Sequence, residues 1–292
     1  MNAQPVGFEA RPQAAVATWK TVLTHVEPHE ACTVRLQAAV DLARRCDALL
    51  IGVGAEMVEP LAISDPYGFA GWDAAALTTL REQMLADVER AKAMFLDHTS
   101  GVRTAWRAID DRPAPALARV ARAADIIVAG GPPIRPLDRN RTMDTAELIL
   151  LSGRPVLVAP VKPATLVARR VVVAWKDGRE ARRAVADALP LLKMADEILV
   201  VEVCSKGGGD DAAFRTSDVA ANLQRHGVTA RSTAVAASND EVGYVLNKEA
   251  DALGADLIVA GCYGRNRMSE WLFGGATFDL LAAPDRFLLM SH

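Results

Sequence analysis

Short, almost wholly apolar runs alternate along this chain with longer stretches whose apolar residues return every third or fourth position. The first kind is the pattern of strands buried on both faces, the second that of amphipathic helices. Residues 18–26 read as a strand, and 31–46 as a helix carrying Val34, Ala38 and Leu42 at helical spacing. The run 47–54 is a second strand. After a loop at 60–71, residues 72–98 form one long helix, and 102–109 a third strand. Residues 113–123 are a helix with Pro113 and Pro115 in its first turn, where proline is tolerated. A fourth strand, 125–129, runs into Gly130-Gly131-Pro132-Pro133, a short helix follows at 142–151, and a fifth strand at 155–159. Strictly alternating strands and helices predict an open, doubly wound α/β sheet.

The second half then repeats the first. Residues 170–175 answer 21–26, Glu180-Ala181 opens a helix as Glu30-Ala31 does, and 197–203 answer 49–53. Asp256-Leu257-Ile258-Val259-Ala260-Gly261 is nearly Asp125-Ile126-Ile127-Val128-Ala129-Gly130, and Arg286-Phe287-Leu288-Leu289-Met290 matches Arg154-Pro155-Val156-Leu157-Val158. The second copy lacks the long 60–98 segment and reads as carrying only a helix at 218–226 there. The expectation is two tandem α/β domains, 18–160 and 169–292, each with about five mostly parallel strands and helices on both faces. The linker, 160–168, holds Pro160 and Pro163.

Composition narrows the function. With 51% hydrophobic and 24% charged residues the chain is a globular protein, and a net charge of −3 excludes nucleic-acid binding driven by overall charge. No apolar run approaches the roughly 20 residues that span a bilayer, and 1–15 lack the pattern of a secretory signal. Cys32, Cys46, Cys204 and Cys262 are scattered and read as reduced thiols, so a cytoplasmic protein without membrane contact is expected. His25, His29, His98, His226 and His292 have no metal-ligand spacing. No P-loop, no G-x-S-x-G elbow and no catalytic set is present. Gly52-Val53-Gly54 has Met57 where a dinucleotide fingerprint needs its third glycine.

One stretch does carry chemistry. The strand ending at Gly261 is followed by Gly264, and nine residues later by Gly274-Gly275 at what reads as a helix start, 276–282. Glycines between a strand and a helix let backbone approach a phosphate, and the helix start supplies unpaired N–H groups. This G-x2-G-x9-G spacing, the duplication, and Asp177 just beyond the first strand of the second copy together resemble the universal stress protein family in its tandem form. The fold that the resemblance implies is the adenine nucleotide alpha hydrolase-like one. The residue after Gly274 is Gly275, where the family has Ser or Thr, and Lys176 precedes Asp177 where the family often reads Val-Asp-Gly-Ser.

The resemblance implies a stress-response protein binding ATP or AMP, with Mg²⁺ accompanying ATP, at a single site in the second domain. Asp177 would contact adenine, Val203 would offer backbone, and Gly261, Gly264, Gly274, Gly275 and Ala276 would hold ribose and phosphates, with Arg265 beside them. The alternative is a nucleotide-free interaction protein with both sites lost; a weak ATPase is the most enzymatic reading. The first copy has prolines after Gly130 in place of N–H donors, and Glu27-Pro28 after its first strand, so no nucleotide is expected there. Its expected role is to pair with the second domain through the fifth strands, as family members pair, with a homodimer of tandems as a further partner. The 60–98 segment is the expected partner surface.

Overall fold

A computed structural model describes residues 19–29, 31–58, 63–64, 70–71, 74–131, 140–162, 164–262, 280–281 and 284–292. The first half runs β1 (Thr21–His25), α1 (Ala31–Cys46), β2 (Leu49–Glu56), a short antiparallel pair β3 (Ile63–Ser64) and β4 (Ala70–Gly71), then α2 (Ala74–His98) and β5 (Thr104–Asp110). It continues with α3 (Pro113–Val120), a 3-10 turn over Ala121–Ala123, β6 (Ile126–Gly130), α4 (Thr145–Ser152) and β7 (Val156–Ala159). The second half runs β8 (Arg170–Trp175), α5 (Arg179–Leu192), β9 (Glu197–Cys204), α6 (Gly209–Arg225) and β10 (Arg231–Ala236). It ends with α7 (Val242–Leu253), β11 (Leu257–Gly261) and β12 (Phe287–Ser291).

Ten strands form one sheet in the order β10-β9-β8-β11-β12-β7-β6-β1-β2-β5. Within each half the strands are parallel, and each half has the same order about its first strand. The halves meet where β12 runs antiparallel to β7, with Leu289 opposite Leu157. One face of the sheet is covered by α1, α2, α5 and α6, the other by α3, α4 and α7. Burial on both faces is why the central strands read as continuous apolar runs.

The recurrent Asp before the fourth strand of each half is a clasp. Asp125 Oδ2 accepts the backbone N–H groups of Lys20 (2.7 Å) and Thr21 (2.9 Å). Asp256 Oδ2 does the same for Val167 (3.1 Å) and Ala168 (2.6 Å). Each carboxylate therefore fixes the entry of the neighbouring first strand, which explains why the motif recurs without any ligand. Gly52 and Gly54 are packing glycines: a Cβ on Gly52 would stand 2.7 Å from the Phe95 ring, and one on Gly54 2.7 Å from that of Trp106.

The second half departs from the sequence pattern at one place. Where a helix was expected only at 218–226, α6 begins at Gly209 and is the counterpart of α2. Its buried stripe is Ala212, Thr216, Val219 and Leu223, and the Thr216 hydroxyl donates to Ala212 O (3.0 Å). Alanine and threonine carry little hydrophobic signal, so the first half of the helix is hard to see. β10, a half-exposed edge strand beginning Arg-Ser-Thr, was hidden for the same reason; α7, with Val245, Leu246 and Ala250 buried, was not anticipated either.

Candidate functional site

In each half the chain leaves its first strand in one direction across the sheet and returns on the other side with its fourth. The carboxyl ends of those two strands frame the crevice where open α/β sheets take ligands. In the second half these ends are Trp175 of β8 and Gly261 of β11.

Lys176 and Asp177 follow β8 and are both exposed. Asp177 Oδ1 holds Arg182 Nη2 at 2.5 Å, and the N-cap of α5 is Gly178, so Asp177 does not cap the helix. Val203 is half-buried and pairs with Val235 of β10. The β8 register stops one residue earlier, at Trp175 opposite Glu202, so Val203 extends past the end of β8. Glu202 itself is buried and takes Arg215 in a fork, with Nε 3.1 Å from both carboxylate oxygens.

Gly261 is accounted for by packing. A Cβ there would lie 2.3 Å from Ala181 N and 2.4 Å from the Glu180 carbonyl carbon. The end of β11 thus touches the backbone of α5's first turn, and only glycine permits that approach. Glu180 is buried at this contact and receives Arg179 Nε at 2.6 Å. Burial pushes its carboxyl up, but hydrogen bonds from Arg179 and from its own backbone N–H, with the Arg179 charge, hold it below the usual range. Behind it, burial and the Glu180 charge push the Cys262 thiol up to about 12. His292 closes this corner, its Nδ1 3.1 Å from Cys262 O. The expected site residues Gly264, Arg265, Gly274, Gly275 and Ala276 lie outside the described residues, as does most of the expected helix 276–282.

The equivalent crevice of the first half, between β1 and β6, is filled by the protein's own charges. Arg35 is 7% exposed and stands over the end of β6, its Nη1 3.3 Å from where a Cβ on Gly130 would be. Its Nη2 donates to Cys32 Sγ at 3.0 Å and lies 3.9 Å from Glu27 Oε1. His25 is buried, with Nδ1 3.0 Å from the same oxygen; the contact is close but bent, and neither atom makes an aligned hydrogen bond. Burial pushes the Glu27 carboxyl up, yet the Arg35 charge and His25 outweigh it and bring it to about 2. Beside this cluster, Arg141 reaches Glu56 Oε2 (3.1 Å) and Asp87, and Asp87 also pairs with Arg90. Burial raises the Glu56 carboxyl despite Arg141. Sequence reading passed over this network. Its signal was present: Arg35 falls among Cys32, Leu36 and Ala39 on the core-facing stripe of α1, where a charge needs a partner.

Among the described residues no three His, Cys, Asp or Glu side chains converge as a metal site, and no helix is long and apolar enough to cross a membrane. No family model and no curated protein matches the chain. Solved structures do. A universal stress protein from Archaeoglobus fulgidus superposes with a TM-score of 0.69 at 14% identity, over 93% of this chain and 97% of that one. A functionally unknown protein from Pseudomonas aeruginosa superposes with 0.60 at 16% identity, over 94% and 92%. At such identities the likeness is one of fold: this chain has the tandem universal stress protein fold.

Proposed function

We propose that the chain is a cytoplasmic stress-response module that holds one adenine nucleotide, ATP or AMP, in the β8–β11 crevice of its second half. The observation that carries this reading is the difference between the two crevices. The first is occupied by Arg35 and its partners, whereas the second adjoins the strand end from which the Gly264–Gly274–Gly275 spacing departs. Backbone N–H groups of that segment and the start of the following helix would face the phosphates, with Mg²⁺ accompanying ATP and Arg265 adding a cation. The Gly275 backbone can donate as a serine backbone would. The missing hydroxyl costs about 0.5–1.5 kcal/mol, roughly a factor of 2–13 in affinity. We assign no catalytic step. Titration calorimetry of the full chain with ATP and Mg²⁺ tests the reading: one site per chain is expected, and no heat at high micromolar ATP would sink it. Gly264→Val is expected to remove the binding.

A second reading, an interaction protein without nucleotide, is favoured by one specific contact: Gly261 is already required by the α5 backbone, and so needs no ligand to explain it. The same calorimetry separates the two.

A further inference from the structure

The nucleotide reading of the second half leaves open which carboxylate faces the ligand. By sequence position it is Asp177, but that side chain is half-exposed and its Oδ1 already holds Arg182 at 2.5 Å. Glu180 is placed differently. It is 7% exposed and stands on the first turn of α5, its backbone against Gly261 at the end of β11. Its negative charge reaches Cys262 just past that strand end, and His292 acts on it from the same side. Oε2 turns back over the β8–α5 turn, where a Cβ on Gly178 would stand 3.1 Å from it. The carboxylate therefore sits at the β8–α5 turn, on a residue whose backbone packs against the end of β11, while Asp177 is half-exposed and tied to Arg182.

A carboxylate offers about four lone-pair sites. In Glu180, among the described residues, Arg179 Nε and the residue's own N–H take two of them, and Arg179 is itself 59% exposed. What remains is a buried anionic acceptor, which attracts N–H and O–H donors and repels phosphate oxygens. An adenine nucleotide has both kinds of group: an exocyclic amine and ribose hydroxyls at one end, oxyanions at the other.

Resting on the nucleotide reading, we infer that Glu180, not Asp177, is the residue that selects the ligand, accepting from the nucleoside end and directing the phosphates away from α5. Glutamine at this position keeps the shape and one acceptor but removes the charge. The test is calorimetry of the full chain with adenosine and, separately, ATP and Mg²⁺, on the wild type, Glu180→Gln and Asp177→Asn. For both ligands Glu180→Gln should weaken binding at least about tenfold, the scale of a lost charge-assisted hydrogen bond, with Asp177→Asn within about threefold of wild type. The reverse order, or unchanged binding by Glu180→Gln, overturns the assignment while leaving the nucleotide reading intact. A wild type that binds neither ligand overturns both. If Glu180→Gln does not fold, by circular dichroism and thermal midpoint, Glu180→Asp replaces it. That variant keeps the charge but withdraws it by one methylene, and the same loss of binding is expected.

Discussion

Glu27 offers the most quantitative test of how the first half is built. Its side chain is 17% exposed, and its carboxyl drops from 4.5 to about 2 because Arg35 and His25 outweigh the burial that alone would raise it. At about 1.4 kcal/mol per pKa unit, that drop corresponds to roughly 3 kcal/mol of stability at neutral pH. The sign follows from the direction. A carboxyl depressed in the folded state stabilises fully above its unfolded value, and loses that contribution as pH falls through its folded value. The contribution is thus complete at pH 7, falls to less than half at pH 3, and vanishes below about pH 2. Glu27→Gln removes it and leaves Arg35 buried beside a neutral amide. Urea unfolding followed by circular dichroism should show the variant about 3 kcal/mol less stable at pH 7, with the gap at least halved at pH 3. Replacing Arg35 by methionine as well should recover part of the loss, since the uncompensated cation goes with it. A variant within about 0.5 kcal/mol of wild type at pH 7, or a gap unchanged at pH 3, refutes the reasoning.

Glu56 is raised by burial in spite of Arg141, so its charged form is the costly one, and the stability it contributes declines as pH rises through its folded value. Glu56→Gln should therefore be as stable as wild type or more so at pH 7 in the same urea assay; a loss above about 1 kcal/mol contradicts this. Gly261→Ala forces a methyl against backbone and should cost about 1–3 kcal/mol, whereas Gly130→Ala meets, among the described residues, the flexible Arg35 side chain and should cost less than half as much. Equal thermal midpoints for the two variants would remove the distinction. With its thiol pushed up to about 12, buried Cys262 should resist iodoacetamide at pH 8 until the protein unfolds, while half-exposed Cys204 is labelled in the native state. Peptide mass spectrometry reads the order, and labelling of native Cys262 ahead of Cys204 counts against it.

Much of this architecture is legible in the amino-acid sequence. The apolar runs at β1, β2, β6, β8 and β11 announce strands covered on both faces, because burial on both sides leaves no position that must be polar. The near-identity of Asp125–Gly130 and Asp256–Gly261 announces the duplication, and the structure adds that the two aspartates recur as clasps on the first-strand entries. What escaped sequence reading shares one property: its meaning depends on contacts distant along the chain. The first turns of α6 were hidden because Ala212 and Thr216 are weakly apolar, and only the sheet beneath shows that they are buried.

The same division runs through the candidate site. Sequence by itself determined which half retains a glycine spacing compatible with a phosphate cradle, since spacing is a local property of the chain. It also determined the position of Asp177 after the first strand of the second copy. Only tertiary structure decided that Asp177 is tied outward to Arg182, that Gly261 is glycine because α5 touches it, and that Glu180 is buried at that contact. It also decided that Arg35 occupies the opposite crevice, 3.3 Å from where a Cβ on Gly130 would be. Hydrophobic period and residue spacing record which elements form. Which side chains share a crevice is settled by strand order and helix packing, and those bring together residues as far apart in the chain as Glu180 and Gly261.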